Sequence, residues 1–313
     1  AMKWLDAFIK HCLYEKNYAT GKTGAPLDAI LFHAKGSPRL VNGVVVMSIR
    51  NQLRNIEDNF RVIARYPELK HLPVILGESD PEGCAACGMA TDPQNAYRNG
   101  TMYSSYTAAS FARKYELAQR YNMNLIGAVT WAFEFEDQPW FYGFRDLATN
   151  GVNKPVLNVF RMFGMMKGKQ VATESNRRYA LQEVLDSSIR RAATDIGALA
   201  SKDQHSAAVM IWNYHDADEK GSTTPVQLSV MNLPVNKVKL THYRIDDASG
   251  NAYEHWKKMG SPRQPTAAQV KELEQSAQLQ YIESKNNNVS GDGSIDTRFQ
   301  LPRQGVSFIK LEW

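Results

Sequence analysis

The chain has 313 residues, 43% of them hydrophobic and 22% charged, with no low-complexity stretch, which excludes disordered, collagen-like and coiled-coil classes. At roughly 150 residues per domain, this length predicts two domains. The net charge of +5 is spread along the chain, which argues against nucleic acid as a partner, and no apolar run approaches the roughly 18 residues of a membrane span.

In chain order, Leu5, Phe8, Ile9, Cys12 and Leu13 recur at helical spacing, so residues 2–17 are predicted to form an amphipathic helix. The opening Ala-Met reads as a cloning junction on that helix, so the natural N-terminus is expected to be absent. A Gly/Thr/Pro stretch leads into the apolar run LDAILFH. The helical pattern Ile49, Leu53, Ile56, Phe60, Ile63 follows, and then the run LPVILGES. A further helix is predicted near 101–120 and a third run is NLIGAVTWAF; Pro155 marks the first turn of another helix. Each run is short, unalternated and followed by a polar loop, the pattern of buried parallel strands in β/α units.

After about residue 168 the texture changes. SAAVMIWNYH, TPVQLSVMNL, NKVKLTHYRI, LQYIES, DTRFQL and VSFIKLEW are short, β-branched and aromatic, with Gly/Asn/Asp clusters between them. They predict an all-β module, most simply a sandwich, interrupted by one helix that Thr266 and Gln269 open as a capping box. The Lys/Arg-containing helices read as solvated faces. Only three β/α units precede this module, too few to close an eight-stranded barrel, which takes about 250 residues.

Reacting groups in β/α folds collect at the C-terminal ends of strands. The first run ends in Phe32-His33-Ala34-Lys35-Gly36, the second in Gly77-Glu78-Ser79-Asp80-Pro81-Glu82-Gly83-Cys84, and the third in Trp131-Ala132-Phe133-Glu134-Phe135-Glu136-Asp137-Gln138-Pro139-Trp140. Carboxylates, a histidine and two tryptophans at such ends suggest a carbohydrate site, since sugar rings stack on aromatic faces and sugar hydroxyls pair with carboxylates. Glu78 is the foremost candidate for an attacking carboxylate of a glycosidase; a strand-end cap or an ion-pair partner is the alternative. His33 and Lys35 share one parity, as do Glu134 and Glu136. For His33 a hydrogen-bonded strand-end role is the alternative, and for the two glutamates an acidic loop. Cys84-Ala85-Ala86-Cys87 has the spacing of a redox motif or half a zinc site, but nothing completes a metal set, which leaves a loop-stabilising pair, oxidised or reduced. Cys12 is expected in the core. GKTG at 21–24 neither follows a strand nor opens a helix, so it is no phosphate loop.

A series in the second half carries a resemblance: His242-Tyr243-Arg244-Ile245-Asp246, Asn251-Ala252-Tyr253, Trp256-Lys257-Lys258-Met259-Gly260-Ser261-Pro262 and Pro265-Thr266, closed by LPRQGVSFIKLEW. It resembles the accessory β-sandwich of the bacterial β-xylosidases of glycoside hydrolase family 39, which also holds α-L-iduronidases. In the first half, AFIKHC, LDAILFHAKG, PVILGESDPEGC and LIGAVTWAFEFED resemble the segments around barrel strands 6, 7 and 8. The fold so implied is α/β plus all-β: the C-terminal part (strands 6–8) of a TIM (β/α)8 barrel over residues 1–167, then a β-sandwich over 168–313.

The resemblance aligns Glu78 with the family's catalytic nucleophile. It places His33 where the family has a strand 6 His near the sugar, and Glu134 and Glu136 in the strand 8 segment, where either one corresponds to a substrate-binding carboxylate. Lys35, Trp131 and Trp140 are substrate-binding candidates by their place at the strand ends, and no metal or organic cofactor is implied. The implied reaction is hydrolysis with retention, releasing xylose from the non-reducing ends of xylo-oligosaccharides or from aryl xylosides. The family's acid/base Glu lies in an Asn-Glu-Pro motif, and no Asn-Glu dipeptide occurs here. The chain is therefore expected to be a truncated, nearly inactive piece, completed by self-association or by an N-terminal half-barrel partner. A bacterial source is implied, with cytoplasm and periplasm both open. Two other readings are a non-catalytic carbohydrate-binding or interaction fragment, and a family member acting on an arabinoside, a glucoside or an iduronide.

Overall fold

The computed structural model describes residues 2–313. The first half contains α1 (Met2–Tyr14), β1 (Ile30–Phe32), β2 (Arg39–Val41), β3 (Val44–Val46), α2 (Ile49–Ile63), β4 (Pro73–Leu76), α3 (Thr101–Tyr121), β5 (Asn124–Ala128), β6 (Ala148–Thr149), β7 (Val152–Asn153) and α4 (Pro155–Met165). The second contains β8 (Lys169–Val171), α5 (Leu181–Ser187), β9 (Asp195–Lys202), β10 (Ser206–Tyr214), β11 (Thr224–Val230), β12 (Lys237–Ile245), α6 (Ala252–Lys258), α7 (Ala267–Ser276), β13 (Gln280–Asn288), β14 (Ile295–Leu301) and β15 (Val306–Glu312).

The three apolar runs form one parallel sheet, order β1-β4-β5. Ile30, Val74 and Leu76 turn to the helix side and are buried, because α2 offers Ile49, Leu53, Ile56, Phe60 and Ile63 along one stripe there. Phe32 meets Phe60 edge-on at 6.0 Å. On the opposite face Leu31 is 58% exposed and Ile126 60%. Among the described residues this face carries no covering layer of its own.

The later strands form a six-stranded antiparallel sheet, order β13-β12-β15-β10-β9-β8, and a pair, β11-β14. The pair packs on one face of the large sheet through Val209, Ile211, Val238, Leu240, Ile309 and Leu311. The other face packs on α3: Tyr106 meets Tyr214 edge-on at 6.0 Å, and Arg113 donates to both oxygens of Asp195 at 2.9 Å. One continuous core thus runs from α1 through α2 and α3 into β10 and β15.

Three expectations need correction. Besides α7, whose Thr266–Gln269 capping box is present, the second half carries α5 and α6. Two Asn-Gly hairpins, β2-β3 around Asn42-Gly43 and β6-β7 around Asn150-Gly151, add strands to the first half; all four turn residues have positive φ, as this turn requires. Finally, α3 has no solvated basic face where Arg113 and Lys114 lie. Both are buried, because the helix is covered on opposite sides by the two sheets.

Candidate active site

The site lies at the C-terminal ends of the parallel strands, in an open depression of ≈ 380 Å³ lined by Leu31, His33, Gly77, Glu78, Val129, Thr130 and Trp131. Two glycines let its walls approach. A Cβ on Gly77 would stand 2.6 Å from Leu31 Cδ2, and one on Gly36 would stand 2.5 Å from the Pro81 carbonyl oxygen. The loops after β1 and β4 therefore close on each other only with glycine at these positions.

Glu78 is the one carboxylate among the lining residues, with 27% of its side chain exposed. Its Oε2 accepts hydrogen bonds from Lys35 Nζ at 2.7 Å and Arg145 Nη2 at 2.7 Å. Its Oε1 has no hydrogen-bond partner among the described residues; His33 Nδ1 stands 3.9 Å away. The Lys35 hydrogen bond, with the positive charges of Lys35 and Arg145, holds the Glu78 carboxyl below the usual carboxylate range, against the opposing effect of burial. One oxygen is anchored and the other is left to the cleft, ionised. That is what an attacking carboxylate needs.

Asp80 organises the two cations. It is 1% exposed, and its Oδ2 accepts from Lys35 Nζ at 2.9 Å and faces Arg145 Nε at 3.4 Å. Its Oδ1 accepts from the hydroxyls of Thr130 and Tyr103. Arg145, also 1% exposed, reaches the site from the loop after β5, where its Nε donates to the Trp131 carbonyl at 2.7 Å. Lys154, at the start of α4, fixes that loop: it is paired with Asp146 and donates to the Phe144 carbonyl at 3.0 Å. Burial lowers the Lys154 pKa and raises that of Asp146. Beneath Asp80, Lys114 Nζ sits 3.3 Å from the Ser79 carbonyl and 4.1 Å from the centre of the Phe111 ring; burial pushes its pKa down to about 7.

The structure brings Glu78, His33, Lys35 and Trp131 together. Trp131 stands half-exposed against Phe135, with ring centres 5.8 Å apart. Glu134 accepts the Gly151 N–H at 2.6 Å and so caps the β6-β7 turn. Glu136 is exposed, and Trp140 packs with Phe141 and the cluster of α6 and α7 that contains Tyr253 and Trp256. Cys84 and Cys87 form a disulfide, and Cys12 is buried as a free thiol. Asp80 and Arg145 are absent from the candidates named on sequence. Asp80 shares the parity of Glu78 along an extended segment, the signal that paired His33 with Lys35. Arg145 has no comparable signal, since it meets Glu78 from 67 residues away.

The family model for glycosyl hydrolases family 39 matches residues 1–293. Mouse α-L-iduronidase is 23% identical over 292 residues, covering 85% of this chain and 42% of that protein. The β-xylosidase of Geobacillus stearothermophilus is 23% identical over 255 residues, covering 80% and 44%. Among solved structures, a bacterial orthologue of human α-L-iduronidase superposes with a TM-score of 0.76 at 16% identity, covering 99% of this chain and 53% of that one. A monomeric β-xylosidase from Caulobacter crescentus CB15 gives 0.71 at 17% identity, covering 100% and 59%. The chain thus spans less than half the length of the curated relatives it matches, and shares its fold with somewhat more than half of each solved one. By the match over most of its length, this chain belongs to glycosyl hydrolases family 39.

Proposed function

We propose that the chain is the nucleophile-bearing part of a retaining β-xylosidase. In this reading residues 1–167 supply strands 6–8 of a (β/α)8 barrel, residues 168–313 are its accessory sandwich, and residues outside these 313 supply the acid/base carboxylate. The observation that carries it is the Glu78 carboxylate, with Oε2 tied to Lys35 and Arg145 and Oε1 facing the depression beside His33 and Trp131.

Glu78 Oε1 attacks the anomeric carbon, and the bond to the aglycone oxygen breaks with its electron pair leaving on that oxygen. A proton from the second carboxylate neutralises it. Water then attacks the anomeric carbon from the face the aglycone left, opposite the bond to Glu78, gives its proton to that carboxylate, and frees Glu78 with the sugar configuration retained. Trp131 offers an aromatic face for the ring. The bare face of the β1-β4-β5 sheet, with Leu31 and Ile126 exposed, supports closure of the barrel by further strands.

The test is hydrolysis of an aryl β-xyloside by the purified chain alone and with the missing half-barrel supplied in trans, each with Glu78→Ala alongside. The chain alone is expected to be nearly inactive, because loss of leaving-group protonation alone costs about 10²–10⁴-fold. Rapid turnover by the chain alone, or turnover that survives Glu78→Ala, overturns the reading.

A second reading, hydrolysis of a uronide, rests on Lys35 and Arg145, two cations beside the reacting carboxylate. Against it, both are already neutralised by Glu78 and Asp80. Turnover of an aryl α-iduronide in preference to the xyloside would decide for it.

A further inference from the structure

The Cys84–Cys87 loop is built into the site through two buried arginines. Arg98 Nη2 donates to the Cys84 carbonyl at 2.7 Å, and its Nη1 donates to the carbonyls of Cys87 at 3.1 Å, Ala85 at 3.3 Å and Gly143 at 2.9 Å. Asn95 Nδ2 adds a bond to the Cys87 carbonyl at 2.7 Å. From the other side, the backbone N–H of Arg145 donates to the Ala85 carbonyl at 2.9 Å. Its Nη1 donates to the carbonyls of Gly83, at 3.1 Å, and Glu82. The Glu82 carboxylate pairs with Arg98 and accepts the Cys84 N–H at 2.8 Å.

Inward-facing carbonyls therefore hold both guanidiniums, and buried guanidiniums have no water to replace those partners. Arg145 carries the other end of this unit, its Nη2, on Glu78 Oε2 at 2.7 Å. Of the two disulfide residues, Cys84 is exposed and Cys87 partly so, which puts the bridge at the surface of the loop.

We propose that the Cys84–Cys87 disulfide is a positioning device for Arg145, so that reducing it loosens the hold of Arg145 on Glu78 and makes the site redox-sensitive. This rests on the reading of Glu78 as the nucleophile. The step is a two-electron reduction: an external dithiol gives two electrons and two protons, the S–S bond becomes two thiols, and the reductant closes its own disulfide. The groups facing Glu78 are Lys35 and His33 from the end of β1, Asp80 from its own loop, and Arg145 from the loop after β5, with Glu82 beside Arg145. Of the two cations only Arg145 is held by the disulfide loop, so the effect is partial.

The test titrates the Glu78 carboxyl by NMR in the full chain labelled with ¹³C at glutamate carboxyls, the signal being assigned by its loss in Glu78→Gln. It is run oxidised, after anaerobic reduction with dithiothreitol, and in the Cys84→Ala/Cys87→Ala variant. Lys35→Met serves as a control that the probe senses loss of a cation. The expected result is a midpoint higher by about one pH unit in the reduced and double-alanine chains, the lower end of what loss of an adjacent cation produces, with circular dichroism unchanged. An unchanged midpoint, or unfolding on reduction, overturns the proposal. Failure of the nucleophile reading would appear elsewhere, as turnover that survives Glu78→Ala, and leaves this midpoint free to move.

Discussion

The two sheets of this molecule are covered differently. The central strands of the six-stranded sheet are enclosed on both sides, by α3 on one and by β11-β14 on the other, while its edge strands β8 and β13 are largely exposed. Trp212 in β10 is wholly buried with Nε1 donating to Asp195 at 2.7 Å. The three-stranded sheet is covered by helices on one side only, and its other face presents Leu31, Ile126 and the rim of the Glu78 depression. Stability is therefore concentrated in the first sheet and its contact with α3. The proposed chemistry belongs to the ends of the second, where partly exposed side chains stand on buried supports such as Asp80 and Arg145.

Substitutions that act on only one side of this division sharpen the comparison, beginning with the largest effect. In the completed enzyme, Glu78→Gln is expected to lower kcat for an aryl xyloside by at least about 10⁴-fold, with thermal unfolding nearly unchanged. A large loss of Tm instead would make Glu78 a structural residue. In the enclosed sheet, Trp212→Ala is expected to cost about 3–5 kcal/mol in chemical denaturation, and Arg113→Ala a similar amount, because the buried Asp195 would lose its ion-pair partner. Losses below about 0.5 kcal/mol, the size typical of surface sites, would show that the core does not run through α3 into the sheet.

Lys114 gives a pH-dependent test. Its folded pKa of about 7 lies below that of a free lysine, so the unfolded chain binds more protons between about pH 7 and 10. Lys114 should therefore make stability rise with pH across that window, by up to about 1.4 kcal/mol per pH unit, and Lys114→Met should remove that share of the rise, leaving the share of Lys154, whose pKa burial also lowers. A slope that is the same in both chains would contradict the burial of Lys114. The smallest effect on stability is expected for Trp131→Ala, within about 0.5 kcal/mol as for exposed positions, although sugar binding should weaken.

Much of this architecture was legible because its causes are local. The stripe Ile49, Leu53, Ile56, Phe60, Ile63 is a helix face whatever surrounds it, and the capping box at Thr266 acts within one turn. The Asn42-Gly43 and Asn150-Gly151 hairpins also have local signals, but their strands of two or three residues are too short for hydrophobic periodicity to register. The burial of Arg113 and Lys114 was not legible, since their partners, Asp195 in β9 and Ser79 after β4, are distant in the chain. The site divides in the same way. His33, Lys35 and Glu78 follow from strand ends and parity, whereas Arg145 reaches Glu78 through a long loop whose path depends on Lys154, Arg98 and the disulfide.

The central claim is that Glu78 Oε1 is an attacking carboxylate held ionised by Lys35 and Arg145. The most direct measurement incubates the chain with a 2-fluoro β-xyloside bearing a dinitrophenolate leaving group and maps the peptides by mass spectrometry. Such a leaving group departs without protonation, so the second carboxylate is not required. A single sugar adduct on the Glu78 peptide, lost in Glu78→Gln, is the predicted result. No adduct in the wild-type chain, or an adduct on any other residue, would contradict the account.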